Sequence, residues 1–329
     1  EELIANLKTF KEDEFANLLH QCHNVIRNRD HLDPAAAFDE IAKILFVKTW
    51  VERERRRKQQ RENLFSANFL DTQLTSDEDP LHDLFLKTKK AYEQDHIFDP
   101  NERLNLKPAT GREIVRLLER YNLSDTSEDI KGIAFERFLG RTFRGEIGQF
   151  FTPRSIVEFM VRMVEPREGD VVCDPASGSG GFLIRFFEIV RELIYADVDR
   201  QYRAYAEELD RLELVEDDKA ARLRAKYDEL QATIDQTQHS SRLWKLANRC
   251  IYGCDANDRM ARTSKMNMIM HGDGHGGVHH HNGFINVNGI FEGRFDIILT
   301  NPPFGANVEP SDRVTTGDVH VPDEQYRRY

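Results

Sequence analysis

The sequence lacks any apolar run that approaches the roughly 18 residues of a membrane-spanning helix. Its first residues, Glu1-Glu2-Leu3, also lack the basic and then apolar order of a secretory signal. From these two absences we expect a protein with neither a membrane span nor a signal peptide.

Cysteine is scarce as well. The only cysteines are Cys22, Cys173, Cys250 and Cys254, and their spacing matches no common zinc-binding pattern. Free thiols of this kind are typical of a reducing compartment. We therefore predict a cytoplasmic location.

Basic residues are fewer than acidic ones. The chain has 46 Lys and Arg residues and 57 Asp and Glu residues, so its net charge is -11. A protein that binds nucleic acid with its whole surface would usually be basic. Any such contact must therefore be local or shared with a partner. The 329 residues, of which 40% are hydrophobic, suffice for a sizeable core and for two domains rather than one.

The first part of the chain, residues 1–140, has the pattern of a helical domain. Asp33-Pro34 forms a cap and first-turn pair, and apolar residues follow at helical spacing: Phe38, Ile41, Ala42, Leu45 and Val51. This helix continues into a basic run from Arg53 to Arg61. The run is either a stripe that contacts phosphates or, the interpretation we favour, a solvated helix end. A further helix is expected from about Ser127 to Gly140.

A glycine-rich motif, Asp174-Pro175-Ala176-Ser177-Gly178-Ser179-Gly180-Gly181-Phe182, follows the apolar stretch Asp170–Cys173. The order predicts a strand, a turn and a helix that begins near Gly181. Such turns also bind dinucleotides and nucleoside triphosphates, but no Gly-Lys-Ser/Thr ending is present and the Asp174 carboxylate would repel a pyrophosphate. The same carboxylate suits the ammonium of a methionine moiety. We favour S-adenosylmethionine over a nucleotide and over a purely structural turn.

A second motif, Asn301-Pro302-Pro303-Phe304-Gly305, follows the apolar run Phe295–Thr300, which predicts a buried strand. On its own it is equally well explained as a proline-rich turn. The residue types also suit methylation of an exocyclic amine, which is a poor nucleophile because its lone pair is delocalised into the ring. The Asn301 side-chain oxygen and the Pro302 carbonyl would accept the two N–H bonds and aim that lone pair. The prolines stiffen the segment, and Phe304 offers a ring on which a flipped base can stack.

A third motif, Gly148-Gln149-Phe150-Phe151-Thr152-Pro153, precedes a predicted amphipathic helix over 154–164, whose apolar residues are Ile156, Val157, Met160, Val161 and Val164. Taken in order, the three motifs resemble the N6-adenine DNA methyltransferases, and in particular the modification (M) subunit of type I restriction-modification systems. The resemblance extends from about Ser127 to Gly305.

The resemblance implies S-adenosylmethionine as cofactor and assigns a role to individual residues. Asp255, after the predicted strand Cys250–Cys254, would accept hydrogen bonds from the ribose hydroxyls. Asn282, or alternatively Asp273, would contact the adenine amine of the cofactor. Phe150, Phe151 and Thr152 would form the segment that closes over the methionine end of the cofactor. The loop beneath the cofactor would contain Asp174, Ala176, Gly178 and Gly180. The catalytic residues would be Asn301, Pro302, Pro303 and Phe304.

The implied fold is α/β: an open, mainly parallel Rossmann-like methyltransferase sheet preceded by an N-terminal helical domain. The catalytic domain would span 141–329, with a helical hairpin inserted at about 186–246 and bent near Glu216. This hairpin is either a solvent-exposed element without a binding role or an arm that contacts a partner subunit or DNA. The sheet is expected to be incomplete at its C-terminal side, since the chain ends soon after the fourth predicted strand. The implied partners are double-stranded DNA, a specificity subunit and a restriction nuclease subunit.

Five histidines fall within a short stretch: His271, His275, His279, His280 and His281. Consecutive residues of a strand point to opposite faces, so His279 and His281 would share one face and His280 would lie on the other. No cysteine or carboxylate cluster completes a zinc set, and methyl transfer from a sulfonium needs no metal. We predict no metal site.

Two other functions stay open at this point. The same tetrapeptide serves methylation of a glutamine amide in proteins, but that activity usually goes with tyrosine where this chain has Phe304. A non-catalytic subunit that binds the cofactor and assembles a larger complex is the second alternative.

Overall fold

A computed structural model describes residues 12–58, 62–73, 79–93, 97–123, 126, 128–142, 151–212, 215–236, 238–272, 277–281 and 293–302. Five predicted site residues lie outside these ranges: Phe150, Asp273, Asn282, Pro303 and Phe304. The chain divides into two compact units, one of residues 1–151 with 262–272 and one of residues 152–261 with 273–329. The division into domains 1–140 and 141–329 stays a prediction, because compactness alone does not define an independently folding domain.

The described part of the first unit is helical, which confirms the predicted helical N-terminal region. Its helices are α1 (Glu12–Asp30), α2 (Pro34–Lys58), α3 (Ala67–Gln73), α4 (Pro80–Ala91), α5 (Pro108–Leu118) and α6 (Glu128–Thr142). Their core is aromatic, with Phe38 of α2 stacked on Phe138 of α6 at a centroid distance of 5.1 Å. Among the described helices of the chain, none is both long and apolar enough to cross a membrane.

Helix α2 begins as its sequence predicts, since Asp33 Oδ1 accepts hydrogen bonds from the amides of Ala35 and Ala36, both at 3.0 Å. The predicted apolar face is buried: Phe38, Ile41, Ala42, Leu45 and Val51. Lys43 and Lys48 are buried too, so the helix is enclosed on more than one side. Of the basic run at its end, Arg53 is exposed to solvent.

A buried ion cluster fixes part of a later helix in the first unit. Lys43 Nζ lies 2.7 Å from both Glu40 and Glu102 and 3.3 Å from Asp39. Arg262 lies 2.9 Å from Asp39 and 2.9 Å from Glu102. Removing one partner of such a set leaves an unpaired buried charge, so the cluster holds the segment that carries Arg262 in place.

The second unit contains a parallel sheet. Its elements are α7 (Arg154–Met163), β1 (Val172–Asp174), α8 (Gly181–Asp210), α9 (Glu216–Ile234), α10 (Arg242–Arg249), β2 (Ile251–Asp255), α11 (Asp258–Met270), β3 (Val278–His280) and β4 (Ile297–Ile298). From Arg262 onward, α11 belongs to the first unit. The described strands are all parallel, in the order β3-β2-β1-β4. This arrangement confirms the predicted α/β fold with a mainly parallel sheet.

Strand β1 is central because it pairs with β2 on one side and with β4 on the other. Val172 is opposite Ile251 in β2 and opposite Ile297 in β4. The chain order therefore reverses at β1, and parallel sheets bind their ligands at the carboxyl ends of the strands beside such a reversal. Asp174, the last residue of β1, and Asn301, which follows β4, lie at that edge.

Three helices, α8, α9 and α10, lie between the glycine-rich motif and β2, where the sequence predicts a helical insertion. Helix α9 packs against α8, and α10 packs against both. Helix α8 ends at Asp210 and α9 begins at Glu216. This break agrees with the bend expected near the acidic trio Glu216-Asp217-Asp218. These residues form the first turn of α9, where carboxylates favour the positive end of the helix dipole.

All four cysteines are buried free thiols. Burial raises the pKa of Cys173 and Cys254, which pack with Tyr252 in the core of the sheet, to about 12. A thiol protonated at neutral pH is a poor nucleophile, so these cysteines serve packing.

Candidate active site

The glycine-rich motif forms a tight turn between β1 and α8. Gly178 and Gly180 have φ values of 51° and 83°, in the left-handed region that glycine adopts without strain. The Gly180 amide donates to the Ser177 carbonyl at 2.7 Å, and Gly180 precedes the first residue of α8. With no Cβ at either glycine, a ligand can approach the backbone of this turn closely.

Asp255 ties the glycine turn to the end of β2. Its Oδ2 accepts a hydrogen bond from the Gly178 amide at 2.9 Å, and its Oδ1 accepts one from the Asn257 amide at 2.8 Å. The side chain is half-buried, and desolvation raises its pKa even though both amides favour the charged form. Each carboxylate oxygen keeps a second lone pair, so Asp255 can still accept from a ligand hydroxyl. The sequence singled out Asp255 and Gly178 separately, and the fold brings them into contact.

Asp174 is almost fully buried at the carboxyl end of β1. Its Oδ1 accepts a hydrogen bond from the Ala176 amide at 3.1 Å. Burial raises the pKa of Asp174 to about 7, because the Thr300 hydroxyl and the Ala176 amide offset the lost hydration only in part and Asp255 adds a repelling charge. A cation placed beside this carboxylate would favour its charged form.

We expect Asp174→Asn to change how stability depends on pH. A carboxyl whose folded pKa is raised stabilises the fold fully below its unfolded pKa, near 3.8, and loses that contribution as the pH rises through about 7. In that window the wild-type free energy of unfolding should fall with pH by up to roughly 1.4 kcal/mol per unit more steeply than that of the variant. Urea unfolding at several pH values measures both slopes. If the free energies of unfolding of wild type and variant changed equally with pH, the pKa of Asp174 would not be raised in the folded chain and the prediction would be wrong.

Ser177 and Thr300 are site residues that the sequence analysis did not assign. The Ser177 hydroxyl is buried and has no hydrogen-bond partner among the described residues. The Ser177 amide, by contrast, donates to the Cys254 carbonyl at 2.7 Å, which holds the turn against β2. A polar atom buried without a partner is uncommon and calls for an explanation. The serine between alanine and glycine in the motif was the available signal, but a serine in a turn is too common to stand out.

The turn therefore fits the methyl donor inferred from the sequence. It offers carboxylates for an ammonium at Asp174 and for hydroxyls at Asp255, an unpaired hydroxyl at Ser177, and two glycines that leave room for a ligand. No lysine stands at the end of the motif to bind phosphate.

Thr152 of the third motif and Asn301 of the second motif meet at the same edge of the sheet. Asn301 Nδ2 donates a hydrogen bond to Thr152 Oγ1 at 3.0 Å, although 149 positions separate the two residues. The Leu299 amide donates to the Cys173 carbonyl at 3.1 Å, which keeps this end of the chain beside β1. Asn301 and Pro302 are exposed. Their oxygens are therefore accessible to a substrate rather than enclosed in the core.

An ion pair that no motif predicted joins α7 to α8. Arg185 binds Glu158 through both Nε and Nη2, the latter at 3.1 Å, and donates to Glu188 at 2.9 Å. The Arg185 guanidinium lowers the pKa of Glu158. Helix α7 begins two residues after Thr152, and α8 begins at Gly181. The ion pair between Arg185 and Glu158 therefore helps to fix the distance between Thr152 and the glycine turn.

Helix α7 is less enclosed than its apolar spacing predicts. Val157 and Val161 are buried, but Ile156 is 47% exposed and Val164 39% exposed. The apolar spacing predicted the helix, but two of its apolar residues, Ile156 and Val164, are not buried. Phe159 and Met163 are exposed as well.

The histidine cluster predicted to be structural is spread over both units. The His271 ring packs against Gly132 in the first unit, whereas His280 Nε2 lies 3.1 Å from the Ala256 carbonyl oxygen in the second. Within the described ranges, no three His, Cys, Asp or Glu side chains are grouped so as to hold a metal ion. His275 lies outside those ranges.

Comparison with known proteins gives a consistent result. The chain is 25% identical over 201 residues to the type I restriction enzyme EcoEI methylase subunit of Escherichia coli, which covers 60% of this chain and 32% of that protein. It is 48% identical over 62 residues to the type I restriction enzyme HindI methylase subunit of Haemophilus influenzae, which covers 18% of this chain and 14% of the relative. The chain thus spans about a third or less of the length of these relatives.

A solved chain from a type I R-M system shares the fold, with a TM-score of 0.53 at 18% identity, covering 92% of this chain and 57% of that one. The model of the N-6 DNA Methylase family matches residues 126–214 and 231–327, which is more than half of the chain. The match includes the glycine turn, Asp255 and Asn301, but it begins beyond most of the first unit. This chain belongs to the N-6 DNA methylase family.

Proposed function

We propose that this chain transfers a methyl group from S-adenosylmethionine to the N6 amine of a flipped adenine in DNA, as the modification subunit of a type I restriction-modification complex. The contact between Asn301 and Thr152 is the observation that carries the proposal. It supports the proposal because Asn301, the first residue of the tetrapeptide, lies at the sheet edge that also holds the glycine turn and Asp255. Family membership and the similarity to type I methylase subunits support the same activity.

In this proposal Asn301 Oδ1 and the Pro302 carbonyl accept the two N–H bonds of the adenine amine. The lone pair of the nitrogen then points away from the acceptors and towards the transferable methyl group. Bound S-adenosylmethionine supplies that methyl group on a positively charged sulfur. The chain contributes position and fixed dipoles, and no covalent enzyme adduct is needed.

The cofactor would be held by groups on both sides of the glycine turn. Asp174 would attract the ammonium, Asp255 would accept from the ribose hydroxyls, and Thr152 with Phe150 and Phe151 would form the segment that closes over the methionine end. Asn282 or Asp273 would bind the adenine amine of the cofactor, and Phe304 would stack on the target base. The remaining members of the set are Ala176, Gly178 and Gly180, which line the turn, and Pro303, which stiffens the tetrapeptide.

DNA and partner subunits are also part of the proposal. With a net charge of -11, the chain as a whole repels a polyanion. A specificity subunit would therefore bring the DNA to the site, and a restriction nuclease subunit would join the same complex.

Methyl labelling tests this function directly. The full subunit, assembled with its specificity subunit, is incubated with duplex DNA and the methyl-labelled cofactor, and the DNA is digested to nucleosides. Label in N6-methyladenine supports the proposal. Label in glutamine of a protein, or bound cofactor with no transfer to DNA, would favour one of the two alternatives and overturn it.

A further inference from the structure

The hydrogen bond between Asn301 and Thr152 engages the nitrogen end of the Asn301 carboxamide. The amide nitrogen donates to Thr152 Oγ1 at 3.0 Å. A carboxamide carries its acceptor and its donor on opposite sides. With the nitrogen engaged, the oxygen Oδ1 is directed away from Thr152.

This orientation matters because the substrate nitrogen in the proposed function is itself a donor. An amine with two N–H bonds needs acceptors, and the opposite amide orientation would present an NH2 group to another NH2 group. We propose that Thr152 is a positioning residue that orients Asn301 before the base arrives. The inference rests on the proposed function and goes beyond it, since it gives the Thr152 hydroxyl a role separate from cofactor binding.

Asn301 has little else to select its orientation. Its side chain is exposed, and water solvates either orientation of an amide almost equally well. Within the described ranges, Thr152 is the only hydrogen-bond partner shown for the Asn301 side chain. Pro302 restricts the backbone of Asn301 but leaves its side-chain torsion free.

Thr152, by contrast, is well anchored. The next residue, Pro153, has a fixed φ of -54° and accepts hydrogen bonds from the amides of Ile156 and Val157 at 2.9 and 3.0 Å, so it begins α7. Helix α7 is joined to α8 through Glu158 and Arg185. Because this hydroxyl moves little and its Oγ1 accepts from Asn301 Nδ2, it keeps the amide nitrogen at Thr152.

Nuclear magnetic resonance tests the contact without cofactor or DNA. In the full chain labelled with 15N-asparagine, the side-chain signals of Asn301 are identified by their loss in Asn301→Ala. We expect Thr152→Val, which keeps the side-chain shape but removes the hydroxyl, to shift these signals and to speed exchange of their protons with water. Thr152→Ser should leave both close to wild type. Unchanged Asn301 signals in Thr152→Val would overturn the inference even if the chain methylates adenine.

Single-turnover methyl transfer by the assembled complex tests the consequence. We expect Thr152→Val to slow the chemical step by about 10-fold or more, an effect below that of losing a direct catalytic group, while Thr152→Ser stays within a few fold. In the Asn301→Ala background the further loss from Thr152→Val should disappear, because the two residues act as a unit. Calorimetry should show a cofactor Kd within a few fold of wild type.

Multiplicative losses in the double variant, or a rise in cofactor Kd that accounts for the whole effect, would show that Thr152 acts only on the cofactor and would refute its role on Asn301. Failure of the proposed function has a different signature, namely full methyl transfer by Asn301→Ala or label that never reaches adenine.

Discussion

Asn301→Ala is expected to lower methyl transfer to adenine by at least ~10²-fold, the scale of losing one preorganised polar group. The variant removes the proposed acceptor of the adenine amine and the donor that binds Thr152. It leaves Asp174, Asp255 and the glycine turn intact, so cofactor affinity should stay within a few fold. Tritiated methyl incorporation into duplex DNA under single-turnover conditions measures the first quantity, and calorimetry measures the second.

The matched control is Asn248→Ala. Asn248 is also exposed, and its Nδ2 donates to the Trp244 carbonyl at 2.9 Å within α10. Like Asn301→Ala, this variant loses a side-chain amide and one hydrogen bond, but it does so away from the sheet edge that holds the candidate site. The rate of methyl transfer should therefore remain near that of the wild type. Turnover by Asn301→Ala that matches this control would refute the catalytic role of Asn301.

Gly277→Ala is expected to produce the largest loss of stability, more than about 3 kcal/mol in the free energy of unfolding. A Cβ on Gly277 would lie 1.8 Å from the Ile251 carbonyl oxygen and 3.3 Å from the Tyr252 Cα. These are backbone atoms of a buried strand, so they cannot rotate away as the end of a side chain would. The Gly277 carbonyl also accepts from the Gly253 amide at 3.0 Å, and that bond would be strained as β3 moves from β2.

Gly181→Ala serves as the control for this prediction. A Cβ there meets only Val157 Cγ2 at 3.8 Å, which is ordinary van der Waals contact, and the residue is the first of α8. Alanine favours a helix over glycine by up to about 1 kcal/mol, so stability should hold or rise slightly. Urea denaturation of both variants gives the comparison, and equal midpoints would contradict the steric account of Gly277.

The local elements of the site could be predicted because each depends on neighbouring residues. Glycines at 178 and 180 permit the left-handed turn, and the apolar stretches before Asp174 and Asn301 predict strands that the structure contains. Asp33 caps α2 through its own side chain. Apolar spacing was a weaker guide to burial on α7, where Ile156 is apolar but exposed to solvent.

Long-range partners were beyond such reasoning. The Arg185 pair with Glu158 and the Asp255 bond to Gly178 connect residues 27 and 77 positions apart, and neither has a spacing that local periodicity could detect. Residues 262–272 belong to the first unit, where Arg262 pairs with Asp39 and Glu102. An arginine in a helix carries no signal for the partner that will neutralise it.

By itself, the sequence determined the three motifs and the chemistry that we propose for them: a turn whose glycines leave room for a ligand, an acid after the second strand, and a stiff pair of acceptors for an amine. Backbone torsions and side-chain functional groups are properties of the residues and their neighbours, so they can be inferred from the order of amino acids. Only the tertiary structure decided that Thr152 lies 3.0 Å from Asn301, with the Asn301 amide nitrogen as the donor. That contact depends on the parallel pairing of β4 with β1 and on the packing of α7 against α8, which are set by the whole core rather than by any segment.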